Sequence, residues 1–228
     1  KVAGGGVFVH FDNISGKKAE VYVDTEVHNS GKRTRTVAVE TVLADAGDVP
    51  VKRVSQQVKL QAGESKTVRQ RFAVRNPKLW SPDSPYLYRI QSRVKAGHEV
   101  LDGGVTRVGI RKAEFKGKDG FWLNGKPFGQ LVGANRHQDF AYVGNALPNS
   151  QQWRDAKRLR DAGCTIIRVA HYPQDPAFMD ACDEMGLFVI VATPGWQYWN
   201  KNPEFAKLVH RNTREMIRRD RNHPSVLM

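Results

Sequence analysis

The feature that most constrains this chain is a change of period near residue 110. From Gly6 to about Ile110, apolar and polar residues alternate in short runs: VFVHF, EVYVDTEVH, RTVAVETVL, VSQQVKL, TVRQRFAV and YLYRIQSRV. Successive side chains of a strand point to opposite faces, so each run reads as a half-buried strand. Turn-forming clusters such as NSGKR, DAGDVP, QAGES and SPDSP separate them. Seven or so short strands at this spacing predict an all-β, immunoglobulin-like sandwich over residues 1–110. No cysteine pair is available to join its sheets, so packing alone must hold them. Catalytic residue types do not cluster in this half.

From about Ala113 the pattern becomes strand, helix, strand. GQLVGAN reads as a strand, followed by SQQWRDAKRLRDAG, in which Trp153, Ala156, Leu159 and Ala162 share one helical face and Gly163 is placed to end it. CTIIRVA is the second strand. Its helix is DPAFMDACDEMG, with Asp175 as N-cap, Pro176 at the first helical position and Gly186 as the stop. After LFVIVA comes NPEFAKLVHRNTREMIRRDR, capped by Asn202, with Phe205, Leu208, Val209, Met216 and Ile217 as its apolar stripe. SVLM begins a fourth strand. Such a series implies a parallel sheet with right-handed crossovers. A doubly wound sheet would announce itself by a Gly-rich first turn, and GANRHQDFAY is not one. A (β/α)8 barrel needs roughly 250 residues, so residues 111–228 are expected to form the first half of a TIM barrel, truncated in strand four.

Polar residues gather where such a barrel puts its chemistry, at the C-terminal strand ends. These ends carry Asn135-Arg136-His137-Gln138-Asp139, then Arg168-Val169-Ala170-His171-Tyr172-Pro173, then Thr193-Pro194-Gly195-Trp196-Gln197-Tyr198-Trp199. A single loop histidine is ordinarily a turn or surface residue; their common placement is what points to a site. His137 and His171 lack a third ligand at a familiar spacing, so no metal is expected. No G-x-S-x-G elbow is present for a serine nucleophile. Trp196, Tyr198 and Trp199 suit the apolar face of a sugar ring, with Asn, His and Arg available to its hydroxyls.

The formal charge of +13 raises the question of nucleic acid. Residues 1–110 carry 18 basic and 11 acidic side chains, and residues 111–228 carry 18 and 12, so the excess is spread rather than gathered into a phosphate-binding face. No nucleic-acid partner is expected. No apolar run approaches the roughly 20 residues that span a bilayer, and KVAGGGVFVH lacks the marks of a signal peptide. The start at Lys1 and the stop inside SVLM read as those of a fragment.

Four stretches resemble glycoside hydrolase family 2, the group of β-galactosidases, β-glucuronidases and β-mannosidases. NPKLWSPDSPYLYRI (76–90) is similar to the end of that family's immunoglobulin-like domain, and VGIRKAEFKGKDGFWLNGKPFGQLVGANRHQD (108–139) to its run into the barrel. TIIRVAHYPQDPAFMDACDEMGLFVI (165–190) resembles its signature, and RDRNHPSV a further characteristic stretch. The resemblance implies a retaining exo-β-glycosidase, β-galactosidase-like, acting in carbohydrate catabolism without a cofactor. His137 and His171 would then contact the sugar, Arg168 would support the catalytic carboxylate, and Asn135 and Arg136 would shape the first strand end. Trp196 and Trp199 complete the expected substrate-binding set. Both catalytic glutamates of the family fall beyond Met228, so the chain alone is expected to be inactive, with Asp139 and Asp175 no substitutes. Many members carry an acid at the third strand end, where this chain has Val191-Ala192-Thr193-Pro194-Gly195, so the sugar stays unassigned. A periplasmic or secreted location is the family expectation. The open half-barrel is expected to self-associate. The other reading is a non-catalytic carbohydrate-binding or interaction module.

Overall fold

The computed structural model describes residues 5–195 and 198–228, which pack as two compact units. The first holds the chain up to Leu79 together with Tyr86–Lys112; the second holds Trp80–Pro85 and Ala113–Met228.

In the first unit, β1 (Val7–Asp12), β2 (Lys18–His28) and β5 (Ser65–Arg75) form one antiparallel sheet. The other has the order β4-β3-β6-β7, from Pro50–Leu60, Arg35–Ala44, Tyr88–Ala96 and Glu99–Val108. The alternation read from the sequence is cleanest in β5, whereas β3 is buried over most of its length and β4 exposed over most of its own. Ala19, Val21, Val23 and Val27 of β2 face Phe72 and Val74 of β5 and their neighbours in two clusters of the sandwich interior. One polar bridge joins the sheets inside this core: Thr41 donates to Gln70 Oε1 at 2.5 Å, and Gln70 Nε2 donates to the Val39 carbonyl at 2.9 Å. Strand β4 stays beside β3 rather than crossing to the first sheet, as the fourth strand of a constant-type immunoglobulin domain does.

The second unit opens with a small antiparallel sheet of β8 (Ala113–Phe115), β9 (Phe121–Leu123) and β10 (Lys126–Pro127). Asn124 and Gly125 join β9 to β10 with φ of 53° and 81°, the paired left-handed conformation that makes Asn-Gly the favoured two-residue hairpin loop. Then β11 (Gly133–Arg136), α1 (Asn149–Asp161), β12 (Ile166–Val169), α2 (Pro176–Met185), β13 (Phe188–Ile190) and α3 (Pro203–Asp220) follow in turn. The parallel sheet runs β11-β12-β13. Residues 225–228 extend it as the expected fourth member: Val189 N–H donates to the Ser225 carbonyl and Leu227 N–H to the Val189 carbonyl. Each strand is added on the same side of the last. A doubly wound sheet reverses direction at a switch point; this one does not, and it is not closed.

The caps follow their local chemistry. The Asp175 carboxylate accepts from Ala177 N–H, Asn202 accepts from Glu204 N–H, and Gly186 ends α2 at φ 71°. Two features go beyond what the sequence states. The stripe on α3 is not a buried face, since Leu208 is 42% and Ile217 55% exposed and nothing among the described residues covers them. The stretch around Trp80 does not belong wholly to the sandwich. Trp80 is fully buried in the second unit, where its indole N–H donates to the Asp183 carbonyl at 2.8 Å and its ring meets Phe188 edge-on. Phe121 and Phe128 also pack on Phe188, so an aromatic plug closes the strand-start end of the parallel sheet. The polar end is the opposite one.

Candidate functional site

The parallel register sets the site. Asn135 lies opposite Arg168, and Arg168 opposite Ile190. Paired residues on a parallel ladder face the same side, so the three form a row on one face of the sheet. The residues between them turn the other way: Ile167, Val169 and Val189 are buried against Ala156 of α1 and Phe178, Met179 and Cys182 of α2. On the row's own side the sheet forms a concave surface of ≈ 400 Å³, lined by Leu131, Asn135, Ile166, Arg168 and Ile190 among others.

Just beyond the strand ends stand His137 and His171, ring centroids 5.3 Å apart and nearly perpendicular, with Tyr172 6.3 Å from His137. Partial burial lowers the pKa of His171, and the charges of Arg168 and His137 push it the same way. At neutral pH its imidazole is therefore uncharged, with one N–H donor and one ring-nitrogen acceptor.

Arg136 has a different place from the one the sequence suggests. As the neighbour of Asn135 on a strand it must face the helices, and it is buried there. Its guanidinium donates to Gln174 Oε1 at 2.6 Å, Gln152 Oε1 at 2.7 Å and Asp155 Oδ2 at 2.8 Å, and it lies 4.0 Å from the Phe178 ring centroid. It locks β11 to α1 and to the loop before α2, and it is not turned to the concave surface. Trp199 stands 81% exposed, so the rim does not pack it. Trp196 lies outside the described residues. Asp175 is committed to its cap.

Sequence reading missed the hydrogen bonds that brace this rim from behind. Gln138 N–H donates to Tyr172 Oη at 3.4 Å, and Gln138 Oε1 accepts from Asp175 N–H at 2.9 Å. It also missed a clip on α2. Asp183 accepts from Ser225 N–H at 3.0 Å and pairs with His223 Nδ1 at 2.6 Å. Burial opposes charge on His223, but Asp183, with Asp220 and Asp180 beyond it, outweighs this and raises its pKa. Asp180, Asp183 and His223 offer ligand atoms within 4.8 Å of one another. Asp183 has both oxygens engaged in the clip, which ties the start of strand four to α2. The only signal in the sequence was an acid on the buried face of α2.

Two family descriptions match the chain: glycosyl hydrolases family 2 over residues 6–111, and the TIM barrel domain of glycosyl hydrolases family 2 over residues 114–228. This chain belongs to glycosyl hydrolase family 2. Among family 2 proteins, it is 36% identical over 97% of its length to a β-galactosidase of Thermoanaerobacter pseudethanolicus, and covers 29% of that protein. A family 2 member from Bacteroides cellulosilyticus superposes with a TM-score of 0.91 at 34% identity, over 99% of this chain and 30% of that one. The β-glucuronidase of Bacteroides uniformis superposes at 0.92 with 31% identity, over 97% and 27%. The chain thus spans less than a third of the length of these relatives.

Proposed function

We propose that this chain supplies the sandwich, residues 1–110, and the sugar-holding half of the barrel, residues 111–228, of a retaining exo-β-glycosidase. The observation that carries the reading is the row Asn135–Arg168 with His137 and His171 at its head, on the open side of a family 2 sheet. A retaining enzyme needs two carboxyl groups about 5–5.5 Å apart. The row contains none, so the acid/base and the nucleophile would come from the length that the relatives have and this chain lacks. Arg168 would lower the pKa of the nucleophile and keep it ionised. Uncharged His171 would trade hydrogen bonds with sugar hydroxyls as charge develops on the ring. Relatives named β-galactosidase and β-glucuronidase make these the two sugars to compare, β-galactosides first.

The test compares the 228 residues with the full product of their gene on nitrophenyl β-galactoside and β-glucuronide. The chain alone is expected to show no turnover and the longer protein turnover on one of the two. Activity that stays with the 228 residues through purification would refute the assignment of both carboxylates to other segments.

The same reading has the sheet expose unpaired backbone groups along β11, a template for pairing with another copy. Light scattering should find species larger than the 25.7 kDa monomer. A monodisperse monomer with a sharp melt would count against it.

A further inference from the structure

We propose that Gln138 is a positioning residue, holding His137 and His171 at the separation and angle in which both meet one ligand. The glycosidase reading enters only in saying that this ligand is a sugar. The geometry supplies the rest. His137 sits between two anchored residues: Arg136, locked into the helix layer, and Gln138. His171 sits between Ala170, whose N–H donates to the Arg136 carbonyl at 2.9 Å, and Tyr172, whose hydroxyl accepts from Gln138 N–H at 3.4 Å. Each histidine is thus one residue from a fixed atom on either side, which leaves few soft torsions through which it can drift.

The anchor for Gln138 is unusually firm. Its side-chain oxygen accepts from the N–H of Asp175, whose carboxylate caps α2 at Ala177 N–H. That helix buries Ala177, Phe178, Met179, Ala181 and Cys182 against the sheet, so the donor cannot move without the helix. Gln138 therefore ties the first strand-end loop to the most deeply packed helix of the unit. A glutamine suits the task because its amide is uncharged and leaves the electrostatics of the two imidazoles to each other and to Arg168.

Histidine titration by NMR on the free chain tests this, and needs no sugar, so it can fail or succeed independently of the glycosidase reading. In Gln138→Met, which keeps the volume and removes the acceptor, the His171 midpoint is expected to rise toward the ordinary value of 6.5 as its ring leaves the half-buried site. The ring-to-ring contacts between His137 and His171 should vanish at the same time. Tyr172→Phe removes only the hydroxyl and should shift both signals the same way, more weakly. A folded Gln138→Met chain with unchanged titration and contacts overturns the proposal. If that variant does not fold, Tyr172→Phe decides; unchanged signals there, or loss of its fold, overturn it equally, the latter because the bracket would then be structural.

Discussion

An Arg136→Ala chain is expected to unfold its second unit at a lower urea concentration than the parent chain. The substitution strips one guanidinium from three acceptors at once. Asp155 keeps a 23% exposed side chain and finds water in place of the ion pair. Gln152 and Gln174 are fully buried, and each is left with an unmade hydrogen bond that costs about 1–3 kcal/mol. Two such losses weigh heavily against a total stability of about 5–15 kcal/mol for a domain. Urea unfolding followed by circular dichroism at the helix band should show the midpoint drop or the transition disappear. Arg136→Lys should fall between, since an ammonium cannot reach three acceptors in a fixed fork. An unchanged midpoint in the alanine variant would mean that the guanidinium contributes little to joining strand and helices.

Gly133→Ala is expected to be as damaging for a different reason. A Cβ at this position would lie 1.6 Å from the Ile166 carbonyl oxygen and 2.7 Å from its carbon. Those are backbone atoms with no rotamer to escape into, so β11 itself must move. The four pairs between β11 and β12 go with it, and Asn135 leaves the side of Arg168. A loss above about 4 kcal/mol belongs to this class of mechanism. Gly125→Ala is the informative contrast: its Cβ would meet nothing within 4 Å, and only its φ of 81° is unfavourable, at about 1–2 kcal/mol. Hydrogen exchange should find Ile166–Val169 unprotected in the first variant and protected in the second. Equal protection in both would show that the strand has room to slide.

What was legible in the sequence is what depends on near neighbours. The Asp175 and Asn202 caps, the Gly186 stop and the alternation of β2 and β5 are each decided within a few residues, and the structure repeats them. The pairing of Asn135 with Arg168 follows from the parallel register of two successive barrel strands. Arg136 is placed by an elementary rule: adjacent strand residues face opposite sides, so Asn135 and Arg136 do not share a surface. Trp80 and Asp183 were not legible in that way. Their partners lie 103 and 40 residues away, and no local pattern encodes such a pairing. The α3 stripe was visible as a pattern, but a pattern does not say what covers it.

The clip between Asp183 and His223 has a consequence for the order in which the chain is made. A ribosome delivers Asp183 first, already on the inner face of α2, and its partners His223 and Ser225 some 40 residues later. At about 5–20 residues per second that interval lasts about 2–8 s. During it the helix either buries an uncompensated carboxylate or holds off from the sheet. The packing of the second helix is thus completed only when the start of the fourth strand has emerged, some 40 residues later.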